Sequence, residues 1–519
     1  MYIHWLSGGN TLAVCVVVSF LSSGSSISPQ TRGRSSFIMS SPADFPVLVR
    51  SEYDRGSVRP GILHVGVGAF HRAHQAVYLD ELLEKSGSTS LEWGIVGVNL
   101  RAESRPLADQ LNARDGQYVL KNISNDGKMR YQEVRSLMKV LDWERNNQEV
   151  LKMMGSEEIK VITITVTESG YYLDSTSNLN VDHPDISSEL RGTQSLTSSI
   201  YGCLYHGLKS RKTPITVQCC DNIRSNGDIL SKCFMKYLEL LGDESVCEWV
   251  KSNVTFPNSM VDRITPRPDE AQSSETESLF GIGRDPSVLS EDFTQWVIER
   301  KFASVYPDLM SVGCEIVENV HPYEEAKIRI LNGGHTALAY FGVLKGFKTY
   351  DEAIRDTELE SLFDRYETTE VIPGLPSPSP VDHEKYLATT KSRFQNSYIS
   401  DTLERICRDG FSKISIFVLP TICANFERGH VPINAIRIVA SWFAFLCMVQ
   451  RGQVDFHYID PSWEQLQTFL SSSNGSERFA DSTNLWGDIP TKWPEFSRTL
   501  IEQIGDCRQC YLGDYTSAG

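Results

Sequence analysis

Short apolar runs alternate with longer helical stretches from Gly61 onward, and this alternation restricts the fold more than any other feature of the chain. Short runs rich in β-branched residues predict buried strands, and helical stretches between them predict crossover connections. The clearest runs are residues 62–67, 93–98, 161–166 and 215–218. The sequence therefore predicts an α/β fold built on a parallel sheet.

Polar residues with catalytic potential follow two of these runs. Glu168 comes just after the third run, and Asp221 and Asn222 follow the fourth. Ligands bind beyond the carboxyl ends of the strands in open parallel sheets. We therefore expect these three side chains at a cofactor or substrate site.

A glycine-containing turn connects the first run to a helix predicted over residues 73–85. Gly66 permits a tight turn, and Gly68 lets the backbone approach a pyrophosphate, whose charge the helix N-terminus favours. The third glycine of the dinucleotide fingerprint is absent, because His71 stands in its place. A simple strand-to-helix turn therefore remains an alternative interpretation of this segment alone.

Beyond about residue 320 the strand pattern gives way to helical periodicity. Residues 435–448 predict a largely buried helix, and the proline- and serine-rich residues 372–381 predict a surface loop. We expect a Rossmann-like dinucleotide-binding domain over residues 58–320, followed by a mostly α-helical substrate and catalytic domain over residues 321–510.

The first 44 residues differ from the rest and are excluded from this fold. Residues 12–21 are apolar and lead into serine and glycine, as in a secretory signal, but they are too few for a comfortable membrane span. No Lys or Arg precedes them, and Met39 offers a later start. A start at Met39 predicts a cytoplasmic protein, a functional signal predicts a secretory or organellar one, and a disordered leader is a third alternative.

Composition excludes several classes of partner. The formal charge of −16 repels a phosphate backbone, so we expect no nucleic-acid partner. The chain has 12 scattered cysteines, and Cys507 with Cys510 has no second matching pair, so we expect reduced thiols and no metal. We also expect no stable membrane association of the mature chain, and the sequence does not indicate an oligomeric state.

One string identifies a family. Residues 64–75 (HVGVGAFHRAHQ) resemble the cofactor-binding signature of the polyol-specific long-chain dehydrogenases, the family of mannitol 2-dehydrogenase and fructuronate reductase. Residues 167–171, 220–222, 256–266 and 393–394 resemble further segments of that family in the same order. The resemblance implies a nicotinamide cofactor, a polyol or ketose substrate, and cofactor contacts at Gly66, Gly68, Phe70, His71 and Arg72.

The strongest resemblance lies in residues 327–335 (KIRILNGGH), which match the family's catalytic signature with Lys327, Asn332 and His335. On a straight α-helix these three positions span an arc of about 140°, with Glu324 inside it. Lys327 and His335 would still lie roughly 12 Å apart along the axis. Convergence therefore requires the long lysine arm, alone or together with a bend at the two glycines that precede His335.

These residue types suit alcohol oxidation without a metal. A hydride leaves carbon only when the hydroxyl proton is removed, and a buried lysine can act as the base because desolvation disfavours its ammonium form. Asn332 and His335 would then hydrogen-bond the oxygen that develops negative charge. The resemblance further implies Glu168 and Glu324 as proton relays.

The resemblance also implies that Asn222 and Asp262 bind substrate hydroxyls. Two structural roles compete with this interpretation: Asp262 could pair with Arg263 or cap a helix, and Asn222 could close the turn after its strand. Cys423 departs from the family pattern, which has a basic residue there. This loss argues against a charged substrate, although a hexuronate reductase and an inactive cofactor-binding sensor remain alternatives to a polyol dehydrogenase.

The cofactor is predicted to be NAD, with NADP not excluded. After the second run, Glu103 offers a carboxylate for the adenosine ribose hydroxyls and against a phosphorylated ribose. Arg101 and Arg105 lie equally near in sequence and would accept a 2′-phosphate.

Overall fold

The computed structural model describes residues 46–514 except 86–89, 175, 194–197, 267–269, 283–285 and 400. The predicted leader, residues 1–44, lies outside the described residues. The described strands all precede residue 318. They are β1 (Leu48–Arg50), β2 (Pro60–Val65), β3 (Gly94–Asn99), β4 (Tyr118–Ile123), β5 (Met129–Val134), β6 (Leu137–Asp142), β7 (Val161–Ile164), β8 (Ile215–Cys219), β9 (Val254–Thr255), β10 (Ser259–Asp262), β11 (Val288–Glu291), β12 (Gln295–Glu299) and β13 (Glu315–Val317).

The central sheet has six parallel strands in the order β6-β3-β2-β7-β8-β9. This is the doubly wound strand order of dinucleotide-binding folds. The order in which strands are added to the sheet reverses between its first and fourth strands, here the neighbouring parallel strands β2 and β7. All four predicted strands belong to it, so the predicted α/β fold with a Rossmann-like sheet is confirmed. The predicted runs end two residues later than the strands at β2 and β7, because the chain turns there to build the site.

Helices cover both faces of this sheet, so its strands are apolar on both sides. Leu63 and Val65 pack into one core and Ile62 into the other. Cys219 and Cys220 likewise pack into different cores, as expected for neighbours at a strand end. Two smaller sheets, β1-β5-β4-β11 and β10-β12-β13, flank the central one.

The helix predicted over residues 73–85 is interrupted at His74, whose φ of −125° and ψ of −89° are not helical. His74 instead hydrogen-bonds the carbonyl of Gln295 at 2.9 Å, which ties this point to β12. The α-helices of the sheet-containing part are Ala69–Ala73, Gln75–Lys85, Arg105–Asn112, Trp143–Gly155, Pro184–Leu190, Ile200–Leu208, Asn226–Leu241, Glu244–Asn253 and Glu270–Phe280. Single 3₁₀ turns cover Arg55–Ser57, Ala102–Ser104, Glu168–Tyr171 and Leu309–Val312.

After Val317 the described chain is helical. The predicted loop over residues 372–381 is irregular apart from one 3₁₀ turn, Ile372–Gly374. The α-helices are His321–Ala326, Gly333–Leu344, Tyr350–Arg355, Thr357–Tyr366, His383–Phe394, Leu403–Cys407, Gly410–Lys413, Leu419–Glu427, Ile433–Gln450, Trp463–Leu470, Gly475–Ala480, Thr483–Trp486, Ile489–Lys492 and Pro494–Leu512. Three π-helical segments join them: Lys327–Asn332, Glu367–Val371 and Ile414–Val418.

The helical part has its own hydrophobic core, and the helix Ile433–Gln450 belongs to it, as its composition predicts. By length and composition it is apolar enough to cross a membrane, and 67% of its most apolar window is buried inside the protein. A core helix passes the same test, and the packing of Ala440, Trp442 and Phe445 shows this helix in that position.

Candidate active site

A π-helical segment, Lys327–Asn332, lies at the centre of the site between the helices His321–Ala326 and Gly333–Leu344. Its hydrogen bonds run between residues five apart, so residues i and i+5 lie on the same side of the helix, about one turn apart. Lys327 and Asn332 are five residues apart and therefore share one face. The segment brings Lys327 and Asn332 to one face without a bend at the glycines, since Gly333 is helical with φ of −61°.

The two glycines serve close packing instead. A Cβ atom on Gly334 would lie 2.6 Å from the Phe363 ring, and one on Gly333 would lie 3.1 Å from the Tyr366 hydroxyl. The helix Gly333–Leu344 thus lies directly against the helix Thr357–Tyr366.

Lys327 is buried, with 6% of its surface exposed, and its amine donates a hydrogen bond to Oδ1 of Asn222. Burial lowers the pKa of this amine. The carboxylates of Asp262, Glu168 and Glu324 oppose that effect, and the charge of Arg393 adds to it. A lysine in this position holds a neutral amine at a lower pH than a lysine in water.

Asp262, predicted to bind substrate, is held by Arg393 in a two-bond ion pair with both distances at 2.8 Å. The Tyr386 hydroxyl donates to the same carboxylate at 3.0 Å. Burial alone would raise the pKa of Asp262, but Arg393 together with Lys327 and Tyr386 keeps that pKa below its usual value. Asp262 therefore does not pair with Arg263, and its role toward substrate stays a prediction.

A narrow cavity is lined by two of the three predicted catalytic residues, Lys327 and Asn332, whereas His335 is not in its wall. Its wall also includes Asp221, Asn222 and Glu324, together with Phe417 from the π-helical segment Ile414–Val418. Oδ1 of Asn332 is buried and has no hydrogen-bond partner among the described residues. An orphan acceptor in such a wall is suited to the hydroxyl of a bound ligand, because leaving it unsatisfied costs free energy.

The two predicted relay residues differ in exposure. Glu324 is buried, accepts a hydrogen bond from the backbone N–H of Ser225 at 2.9 Å, and has a pKa raised to about 7 by burial. Glu168 is exposed and acts on the Lys327 amine through its charge. Glu324 can therefore exchange a proton near neutral pH, and Glu168 borders solvent.

His335 lies between aromatic rings. It stacks on Phe394 and meets Tyr350 edge-on, both at 4.4 Å between ring centroids. Burial lowers the pKa of His335 to about 3, so its imidazole is neutral and can donate one hydrogen bond. Asp401, Arg405, Arg393 and Lys413 are the charged groups that act on it.

The predicted cofactor turn forms a separate cavity of about 200 Å³ at the reversal point of the sheet. Gly66 has φ of +101°, and a Cβ atom there would collide with the carbonyl of Thr165. A Cβ on Gly68 would meet only open space up to the carbonyl of Gly66 at 4.0 Å. Nδ2 of Asn99, also in the wall, is buried without a partner among the described residues. A turn whose two glycines leave the backbone open to the cavity, next to an unused donor, fits a dinucleotide.

The other predicted cofactor residues lie away from this wall. Phe70 stacks on His74 with 5.0 Å between centroids, and His71 stacks on His64 at 3.4 Å. Arg72 is buried and donates to the carbonyls of Gly68 and Pro286, so it shapes the turn from behind. Their direct contact with a cofactor stays a prediction.

The residues predicted to discriminate between NAD and NADP follow β3 in the chain. Glu103 is exposed, and the wall contains Arg101 and Ser104 in its place. Arg101 pairs with Asp185 at 3.2 Å and donates to the Tyr172 hydroxyl. Arg105 pairs with Asp142 at 2.5 Å and with Glu144 at 2.6 Å.

In the part of the chain that the structure describes, no three His, Cys, Asp or Glu side chains are grouped to hold a metal ion. Cys507 is buried and Cys510 is exposed on the same helix. Cys423 is half-buried.

Sequence reasoning did not assign Arg393, Tyr386 or Phe417 to the site. Arg393 lies on the buried face of the helix His383–Phe394 with Leu387, Thr390 and Phe394, and a charge in an apolar stripe is the signal that would have revealed it. No pattern marks Tyr386 or Phe417, because their role depends on the packing of distant helices.

Comparison with known proteins agrees with this geometry. Residues 60–311 match the mannitol dehydrogenase Rossmann domain, and residues 319–503 match the mannitol dehydrogenase C-terminal domain. D-arabinitol 4-dehydrogenase of Klebsiella pneumoniae is 36% identical over 85% of this chain and 97% of that protein. Mannitol 2-dehydrogenase of Cereibacter sphaeroides is 34% identical over 85% of this chain and 92% of that protein.

Two solved structures are also similar over most of the chain. Mannitol 2-dehydrogenase of Pseudomonas fluorescens, in a ternary complex with NAD and D-mannitol, is 33% identical with a TM-score of 0.81 over 90% of this chain and 95% of that one. D-sorbitol dehydrogenase in substrate-free form is 30% identical with a TM-score of 0.79 over 91% of this chain and 97% of that one.

Proposed function

The chain belongs to the mannitol dehydrogenase family, and on that basis we propose that it is an NAD-dependent dehydrogenase that interconverts a sugar alcohol and its 2-keto sugar, with D-mannitol and D-fructose as the preferred pair. The observation that carries this proposal is the buried Lys327 amine in one cavity wall with the unpartnered Oδ1 of Asn332. We also propose that the division near residue 320 separates a cofactor domain, residues 58–320, from a catalytic domain, residues 321–510.

Lys327 is the proposed general base. In its neutral form the amine accepts the proton of the substrate hydroxyl, and Asn222 orients the amine through their hydrogen bond. The Nδ2 group of Asn332 and one N–H of the neutral His335 donate hydrogen bonds to the substrate oxygen, and these bonds strengthen as negative charge develops on it. The unpartnered Oδ1 of Asn332 accepts from another hydroxyl of the substrate. In the reverse direction the Lys327 ammonium returns the proton to the ketone oxygen.

A nicotinamide cofactor, when bound, supplies the hydride acceptor for this reaction. Gly66 and Gly68 would hold its pyrophosphate, and Asn99 offers a further donor in the same wall. We propose NAD because Arg105 is already engaged by Asp142 and Glu144, which reduces its attraction for a 2′-phosphate.

The proton leaves Lys327 through carboxylates. Glu324 lies in the same cavity wall with a pKa of about 7, so it can accept a proton from the ammonium and lose it again near neutral pH. Glu168, exposed beyond β7, is the proposed contact with solvent.

The substrate panel follows from the relatives. D-arabinitol belongs in it because proteins named D-arabinitol 4-dehydrogenase are 36% identical to this chain. A hexuronate belongs in it because the positive charges of Arg405 and Lys413 act electrostatically on His335 and would attract the carboxylate of such a substrate. Arg405 is paired with Asp401, which favours the uncharged polyol over the hexuronate.

The test follows the absorbance of the reduced nicotinamide with the purified chain. Oxidation is measured with NAD or NADP and D-mannitol, D-sorbitol or D-arabinitol, and reduction is measured with the reduced cofactor and D-fructose or fructuronate. We expect the highest kcat/KM with NAD and D-mannitol. A highest value with fructuronate would favour the hexuronate reductase, and binding of NAD without turnover of any member would favour the cofactor-binding sensor.

A further inference from the structure

The turn after β7 is strained at one residue. Thr167 has φ of +64° and ψ of 164°, a region that glycine occupies and that β-branched residues avoid. Tyr172, at the other end of the same turn, has φ of +50°. Such conformations persist only where surrounding contacts force them.

The contacts that force this conformation converge on Asp221. Its Oδ2 accepts hydrogen bonds from the backbone N–H of Val166 at 2.8 Å and from the Tyr171 hydroxyl at 2.7 Å. Its Oδ1 accepts from the backbone N–H of Thr167 at 3.2 Å. Asn226 in turn fixes the carbonyl of Asp221 at 3.0 Å.

Asp221 lies between the two cavities of the site. Asp221 is one of the residues in the wall that contains Lys327 and Asn332. The turn that it holds supplies Val166, Thr167 and Tyr172 to the wall of the cofactor cavity. A carboxylate that accepts from two consecutive N–H groups can hold a turn that neither group would adopt alone.

We propose that Asp221 is a positioning residue that holds the turn 166–172 in its strained form and thereby shapes the cofactor cavity from the side of the substrate. The inference rests on the proposed function for the identity of the cofactor as NAD. The strain itself is independent of that identity, because it follows from the conformation of Thr167.

The test combines two substitutions. Asp221→Asn replaces one of the two acceptor oxygens with an N–H₂ group, which faces a backbone donor and releases the turn. We expect the dissociation constant for NAD, measured by calorimetry without polyol, to rise about tenfold, a change within the range of one strained residue. Thr167→Gly removes the conformational penalty, so Asp221→Asn with Thr167→Gly should bind NAD within about threefold of Thr167→Gly alone.

Asp80→Asn is the matched control. Asp80 also accepts from a tyrosine hydroxyl, that of Tyr53 at 2.7 Å, and from a backbone N–H, that of Arg135 at 2.8 Å, but it is in neither wall. It should lower the melting temperature without changing the affinity for NAD. Thr167→Gly alone should raise the melting temperature, which tests the strain without any ligand.

The outcomes separate the two proposals. Failure of the unsubstituted chain to bind NAD would overturn the proposed cofactor. Binding by that chain together with unchanged binding by Asp221→Asn, or with no rescue by Thr167→Gly, would overturn the positioning role. If Asp221→Asn does not fold, Tyr171→Phe replaces it, and a loss of affinity that Thr167→Gly does not restore would overturn the positioning role in the same way.

Discussion

Replacing Lys327 with alanine removes the proposed base and little else. The amine is buried and donates its hydrogen bond to Asn222, so the substitution leaves the ion pairs around Asp262 in place. Removing a buried charge relieves a desolvation cost, and this offsets part of the packing lost with the side chain. We therefore expect Lys327→Ala to fold and to bind NAD with nearly unchanged affinity.

The expected loss of turnover follows from the role of the group. A positioned general base contributes about 10²- to 10⁴-fold, which corresponds to about 3 to 5 kcal/mol in the activation free energy. Because burial lowers the pKa of Lys327, the oxidation rate of the unsubstituted enzyme should rise with pH until the amine is neutral and then level off. The variant should lose this rising limb, since its base is absent at every pH.

The assay measures kcat and kcat/KM for polyol oxidation from about pH 6 to pH 10, a range that extends toward the ordinary lysine pKa, alongside the dissociation constant for NAD. Lys345→Ala is the control, because Lys345 ends the helix that continues the catalytic segment and pairs with Asp356 and Glu358 outside both cavities. It should keep both the rate and the pH profile. A Lys327→Ala enzyme with turnover within tenfold of the parent, or with the rising limb intact, would refute the proposed base.

Three further results are expected. Glu324→Gln should slow oxidation and move the rising limb to lower pH, because the negative charge of Glu324 raises the pKa of Lys327; a pH profile checks this. Glu367 is fully buried, and burial raises its pKa, so the folded state loses stability as pH rises above the ordinary carboxyl pKa. Glu367→Gln should therefore reduce the fall in melting temperature between pH 5 and pH 8. Gly68→Ala should weaken NAD binding at an unchanged melting temperature, since its Cβ would enter open space, whereas Gly66→Ala should lower the melting temperature.

The central sheet was predictable because each strand carries its own local signal. Residues 62–67 and 215–218 are short runs with many aliphatic or β-branched residues, and they contain parts of β2 and β8 of the six-stranded sheet. The interruption at His74 was not predictable, because a contact with Gln295 more than 200 residues away breaks the helix there. Local patterns therefore indicated the elements, and long-range contacts decided where they end.

The site shows the same division. The resemblance of residues 327–335 to the family's catalytic signature selected Lys327, Asn332 and His335 as a group, but α-helical geometry did not predict the π-helical segment Lys327–Asn332. A π-helical segment depends on the packing around it, and this one contacts both other π-helical segments of the described chain. An α-helical periodicity cannot reveal such a segment, since it assumes the hydrogen bonding that the segment lacks.

The partner of Asp262 explains why the charge state of Lys327 could not be read from the catalytic segment. A free carboxylate beside Lys327 would hold it as an ammonium, which cannot accept a proton. Arg393 lies between that carboxylate and Glu291, with bonds of 2.7 to 2.9 Å to each, and its positive charge counteracts part of the effect of Asp262 on the amine. Burial then lowers the pKa of Lys327 against a weakened opposition. The pKa of the proposed base therefore depends on burial and also on an arginine 66 positions later in the chain.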